Sequence, residues 1–217
     1  MELKGKVITF LGDSITQGVG VVNQENRYDE RLKKQYKFTA LNMGLSGSRI
    51  AYNSKPTPDN PQFDLYFCGR AQTICPDSDI VVIFGGTNDY GHGDAPFGSF
   101  DDDSPVTFCG AVRYLVRKVR EICPGAVIVY MTPAKRYDCN DFGAYQSPDK
   151  KMLVEYVDAI IKICKEENVK ILDLYRDLGI DATVPEQNKK YLADGLHFND
   201  DGHEVIARKL GEFLVDL

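Results

Sequence analysis

Five short apolar runs, at residues 6–11, 39–42, 79–84, 126–131 and 170–174, recur along this chain with amphipathic stretches between them. Each is too short for a core helix, and most positions are β-branched, aromatic or otherwise apolar, as in KVITFL and DIVVIF. A strand that is apolar on both faces must be covered on both, which is the situation inside a parallel sheet. The intervening segments at 27–36, about 64–75, 106–122, 149–167 and 200–217 repeat their apolar residues at helical spacing. Pro124-Gly125 stops one of these helices and Ser147-Pro148-Asp149 opens another. The alternation implies an α/β fold in which a parallel sheet lies between two helical layers, a three-layer αβα sandwich of flavodoxin-like type. With no internal repeat and no linker, residues 1–217 are read as one catalytic-size domain.

A sheet of this kind binds ligands outside the carboxyl ends of its strands. Reactive residues should therefore follow the apolar runs, and they do. GDS (12–14) follows the first run, NMGLSG (42–47) the second and GGTND (85–89) the third. A loop at 133–147 follows the fourth, and DGLH (194–197) comes after the fifth and its connecting segment.

Charge and composition narrow the partners. A formal net charge of -6 lacks the basic footprint that phosphate-backbone binding needs, so no nucleic-acid partner is expected. The start, MELKGKVITFLGDS, has no long apolar core of a signal peptide, and no segment approaches the roughly 20 apolar residues of a membrane span. A soluble, cytoplasmic chain is expected. The six cysteines form no C-x-x-C pair and most sit in apolar segments, which reads as buried thiols rather than disulfides or a zinc site. No metal and no cofactor is expected.

GDSIT with Ser14, NMGLSG with Gly47, GGTND with Asn88, and DGLH with Asp194 and His197 resemble the four ordered blocks of the GDSL/SGNH hydrolases. The resemblance runs from residue 12 to residue 203, and its one small departure is Ile15 in place of the leucine of the family name. It implies the SGNH hydrolase fold, a catalytic triad of Ser14, Asp194 and His197, and an oxyanion hole from the N–H groups of Ser14 and Gly47 and the side-chain amide of Asn88. It also implies carboxylic ester hydrolysis, with substrates in the family that include acetylated sugars, short-chain alkyl esters, lysophospholipids and thioesters. A small neutral acyl ester, on a carbohydrate for example, is the expected substrate.

The chemistry of the residues agrees. A serine hydroxyl needs a base within hydrogen-bond reach, and that base needs a third group to orient it. Of His92, His197 and His203, His197 has a carboxylate, Asp194, three positions earlier. A glycine lets backbone approach a substrate closely, and an asparagine donates without carrying charge.

Each residue also has a plainer reading. Ser14 at a strand-to-helix turn is a natural N-cap; Asn88 suits a turn; Gly47 suits an unusual backbone angle; Asp194 suits a loop. Ser46 in GLSGS is a rival nucleophile, although Ser48 spoils the G-x-S-x-G pattern. Asp194, His197, Asp200 and His203, with Asp13 and Asp89, suggest a metal-dependent phosphoesterase, against which stand the small number of histidines and the absence of a D-x-H after the first run. A flavodoxin-like binding module is the third reading, and the chain lacks both glycine-rich phosphate motifs. Loops at 52–64, 90–105 and 133–147 are expected to form the rim, with Tyr52, Phe63, Tyr90, Phe97, Phe100, Tyr137, Phe142 and Tyr145 either facing substrate or packing the loops. Asp101, Asp102 and Asp103 read as a solvated turn.

Overall fold

Five parallel strands form the sheet: β1 (Val7–Gly12), β2 (Thr39–Gly44), β3 (Ile80–Phe84), β4 (Val127–Met131) and β5 (Lys170–Leu172), in the order β2-β1-β3-β4-β5. The computed structural model describes residues 1–142, 149 and 151–217. Nine α-helices lie among the described residues: α1 (Ser14–Gln17), α2 (Tyr28–Tyr36), α3 (Phe67–Arg70), α4 (Thr87–His92), α5 (Phe108–Ile122), α6 (Leu153–Glu166), α7 (Leu174–Asp177), α8 (Pro185–Tyr191) and α9 (Asp200–Asp216).

Successive strand residues point to opposite faces, and the sequence supplies apolar side chains for both. Leu11, Val81, Ile83, Ile128 and Tyr130 face a core closed by α3, α5 and α6. Ile8, Phe10, Val82, Phe84, Val129 and Met131 face a second core closed by α2, α7 and α9. Burying each such side chain contributes about 1.5–3 kcal/mol, so both layers are needed to hold a sheet with no polar face.

The strand register positions the site. Gly12 of β1 pairs with Gly44 of β2 and Phe84 of β3, and Phe84 with Met131 of β4, so four strands end level. The chain leaves β1 for β2 on one side, and β3 packs on the other side of β1. That reversal opens a crevice between the ends of β1 and β3, into which the segments after Gly12 and Phe84 emerge.

Several sequence boundaries shift for local reasons. The expected helix at 64–75 breaks into a 3₁₀ turn (Pro61–Asp64), α3 and a second 3₁₀ turn (Ala71–Thr73). The helix expected from 106 begins at Phe108 because the Thr107 hydroxyl caps it, accepting from Gly110 N at 3.2 Å. The helix expected from 149 begins at Leu153; Ser147 and Pro148, like Tyr145, lie outside the described residues. Helices α1, α4, α7 and α8, four to seven residues each, are too short to show a period. All six cysteines are free thiols, five of them buried and Cys75 half-buried. Among the described residues no helix is long and apolar enough to cross a membrane.

Candidate active site

Ser14 opens α1, but the capping role belongs to its neighbour. Asp13 is the N-cap, with its Oδ1 accepting from Ile15 N at 3.0 Å. The capping reading of Ser14 is thereby replaced, and its Oγ sits 2.9 Å from His197 Nε2. The other ring nitrogen, Nδ1, lies 2.6 Å from Asp194 Oδ2. A carboxylate only accepts, so Nδ1 carries the proton and Nε2 of the neutral ring is left to accept from the serine hydroxyl.

The turn holding Asp194 and His197 is built by its own backbone. Asp194 Oδ1 accepts from Leu196 N at 3.0 Å and His197 N at 2.7 Å, and Ala193 N donates to His197 O at 2.8 Å. Partial burial pushes the Asp194 carboxyl up, but the His197 ring and those two N–H groups outweigh it and hold it below its ordinary value.

Three N–H donors of the expected oxyanion hole are left wholly or partly without a protein partner among the described residues. Among the described residues the backbone N–H groups of Ser14 and Gly47 have no protein acceptor. Asn88, in the first turn of α4, donates one Nδ2 hydrogen to Ser48 O at 2.9 Å, which fixes the amide and leaves its second hydrogen free. Gly47 has φ +73°, and an added Cβ would fall 2.0 Å from Phe63 ring carbons, so two independent constraints require glycine there.

The loop that carries Gly47 is anchored by Asp89, which the sequence offered as a metal ligand, and by arginines that the sequence did not single out. Asp89 accepts from Ile50 N at 2.9 Å and Ala51 N at 3.0 Å, a structural task that replaces its place in the metal set. Arg70 donates to Met43 O at 2.7 Å, Gly12 O at 3.0 Å and Ser48 Oγ at 3.0 Å, tying the ends of β1 and β2 to that loop. Arg49 and Arg136 brace α4: Arg49 Nη1 donates to His92 Nδ1 at 3.1 Å, and Arg136 Nη1 to Thr87 O at 3.2 Å. No motif announces these arginines, because a long side chain reaching 58 residues back along the chain leaves no local pattern. Burial raises both Asp13 and Asp89 to about 6.

The remaining candidates do not join the cluster. Asp200 accepts from Val22 N at 2.9 Å and Asn26 Nδ2 at 2.8 Å, pinning the 19–26 loop. His203 is fully buried; its Nδ1 accepts from Tyr28 N at 3.2 Å and its ring stacks on Tyr28 with centroids 5.9 Å apart. Ser46 donates its N–H to Gln17 Oε1 at 2.7 Å, and among the described residues no base bonds its hydroxyl. No group of three or more His, Cys, Asp or Glu side chains among the described residues is arranged to hold a metal ion. Of the rim aromatics, Tyr52, Tyr137 and Phe142 are exposed, Tyr90 and Phe97 pack inward, Phe100 is partly buried against the core, and Phe63 packs on Gly47.

His203 yields a stability prediction with a definite sign. Burial lowers its ring to about 4, against about 6.5 when unfolded. The neutral buried ring therefore contributes stability above about pH 6.5 that is lost as pH falls towards 4, because only the unfolded chain takes up the proton. His203→Phe keeps the stack on Tyr28 and lacks this titration. Its deficit relative to the parent protein should shrink between pH 7 and pH 4 by about 3 kcal/mol at most. Urea titrations of both proteins at the two pH values measure it, and a deficit independent of pH would show that the ring is not buried neutral.

The family model described as GDSL-like Lipase/Acylhydrolase family matches residues 10–205. No curated protein sequence matched the chain. Among solved structures, a Lactobacillus plantarum protein is similar at 32% identity with a TM-score of 0.83, covering 99% of this chain and 98% of that one. A lipase/acylhydrolase from Enterococcus faecalis is similar at 20% identity and a TM-score of 0.62, covering 95% and 94%. A two-domain esterase active on acetylated mannans is similar at 21% identity and a TM-score of 0.63, over 99% of this chain and 49% of that one.

Proposed function

The chain belongs to the GDSL-like Lipase/Acylhydrolase family, and we propose that it hydrolyses carboxylic esters through an acyl-enzyme on Ser14. The observation that carries this reading is the continuous path from Asp194 through His197 to Ser14, with contacts of 2.6 and 2.9 Å. Ser14 Oγ attacks the ester carbonyl carbon while its proton passes to His197 Nε2, and Asp194 stabilises the imidazolium. The carbonyl oxygen, now an anion, is held by Ser14 N, Gly47 N and the free Asn88 amide hydrogen. As the carbon–oxygen bond to the leaving group breaks, His197 returns the proton to that oxygen. A water that gives its proton to His197 then attacks the acyl carbonyl carbon, and as the bond to Ser14 Oγ breaks His197 returns that proton to Oγ, releasing the acid.

Acetylated carbohydrate is the substrate class to test first, since a protein of this fold acts on acetylated mannans. A p-nitrophenyl ester series from acetate to palmitate, run beside acetylated xylo-oligosaccharides with acetate release measured, tests the activity. A serine-directed phosphonate should abolish turnover and EDTA should leave it unchanged. The reverse pattern would favour a metal-dependent phosphoesterase.

Asn88→Ala should lower kcat by on the order of 10²–10³-fold with little change in KM, because its free amide hydrogen meets charge that exists mainly in the transition state. Steady-state kinetics on the best ester checks this, and an effect confined to KM would mark Asn88 as a ground-state binding residue.

A further inference from the structure

Phe63 occupies a position that the ester-hydrolysis reading leaves unexplained. Its half-buried ring packs directly on Gly47, and the same ring lies 5.3 Å from the His92 ring, centroid to centroid. His92 lies on α4, the helix that carries Asn88 one turn earlier, so Phe63 touches Gly47 on one side and the Asn88 helix on the other. The ring also lines a cleft of about 560 Å³ shared with Arg49, Lys55, Thr57 and His92. Its backbone is held in place. Arg49 Nη2 donates to Phe63 O at 2.9 Å and to Asp64 Oδ1 at 3.2 Å, while Asp64 accepts from Thr57 N at 2.9 Å.

Proton transfer decides which part of the substrate meets this ring. The leaving-group oxygen must receive its proton from His197 Nε2, so the leaving group lies on the His197 side of Ser14. With the anionic oxygen directed at Gly47 N and Asn88, the acyl substituent is left on the flank away from His197, beside the Gly47 loop on which Phe63 packs. We infer that Phe63 is the wall that ends the acyl pocket, confining the substrate to short acyl groups and separating the reacting carbon from the cleft behind the ring. The inference rests on the serine esterase reading and adds the residue that sets acyl length. Removing the ring joins pocket to cleft and gives a longer chain an apolar path along Pro56 and Pro58, which also line it.

The test is the ratio of kcat/KM for p-nitrophenyl octanoate to that for the acetate, measured in the parent protein, Phe63→Ala, Phe63→Leu and Phe63→Trp, with Ser14→Ala as the control. The parent ratio should lie well below one. Phe63→Ala should raise it by about tenfold or more, within the range by which pocket size discriminates acyl groups. Phe63→Leu should raise it by less, and Phe63→Trp, which keeps an aromatic ring on Gly47, should lower the butyrate-to-acetate ratio. Ser14-dependent turnover with chain-length ratios unmoved in the folded variants overturns the inference alone, as does a parent protein that already takes octanoate as well as acetate. Turnover that persists in Ser14→Ala, or is missing for every ester, overturns the esterase reading and this inference with it.

Discussion

Ser14→Ala should lower kcat by about 10⁴-fold or more while leaving the fold intact, the loss seen when a triad nucleophile is removed and the remaining donors still bind substrate. The fold should survive because Ser14 is not the cap of α1. Asp13 supplies that contact through its own carboxylate, and an alanine at the first helical position is well tolerated. The Oγ that disappears makes its described bond to His197 Nε2 at 2.9 Å and is otherwise buried at 1% exposure. Far-ultraviolet circular dichroism and thermal unfolding establish that the variant is folded, and steady-state kinetics on the best ester measures the loss. Mass spectrometry of the parent protein after phosphonate treatment should place the adduct on Ser14. An active alanine variant, or an adduct on Ser46, ends the assignment.

Much of this arrangement was legible because its parts are short-range. Apolar runs such as IVVIF announce strands covered on both faces, and Asp194 and His197 lie three residues apart in a turn closed by its own N–H groups. The meeting of Ser14 with His197, 183 residues later, followed from the rule that α/β sheets gather ligand-binding loops at one edge. What was not legible depends on contacts between segments with no shared pattern. Arg70 reaching Gly12 O and Phe63 reaching Gly47 join loops whose spacing says nothing of their proximity. Asp89 and His203 were open to a metal reading because a carboxylate or imidazole looks the same in sequence whether it binds an ion or a backbone N–H. Only the partners distinguish them, Ile50 and Ala51 in one case and Tyr28 in the other.

The two histidines of DGLHFNDDGH should separate sharply when each is removed. His197→Ala takes away both the base that accepts the Ser14 proton and the acid that protonates the leaving group, so activity should fall by about 10⁴-fold or more. Asp194→Asn leaves a group that can present an N–H to Nδ1 and favour the wrong tautomer, which turns Nε2 from acceptor into donor towards Ser14, and it should cost most of the activity. His203→Ala stands apart from this path. Its ring stacks on Tyr28 and neither ring nitrogen bonds to Ser14, Asp194 or His197, so stability should fall, through a lost stack and an unsatisfied Tyr28 N–H, while turnover per folded molecule changes little. A metal centre built from the same segment makes the opposite demand, since both histidines would be ligands and losing either would remove activity and bound metal together. Measuring kcat/KM for the two alanine variants, with metal content by inductively coupled plasma mass spectrometry, puts the two chemistries in direct opposition. Equal loss in both variants, accompanied by loss of a stoichiometric metal, would overturn the serine mechanism; loss confined to His197→Ala is the result that the 2.6 and 2.9 Å contacts of its ring require.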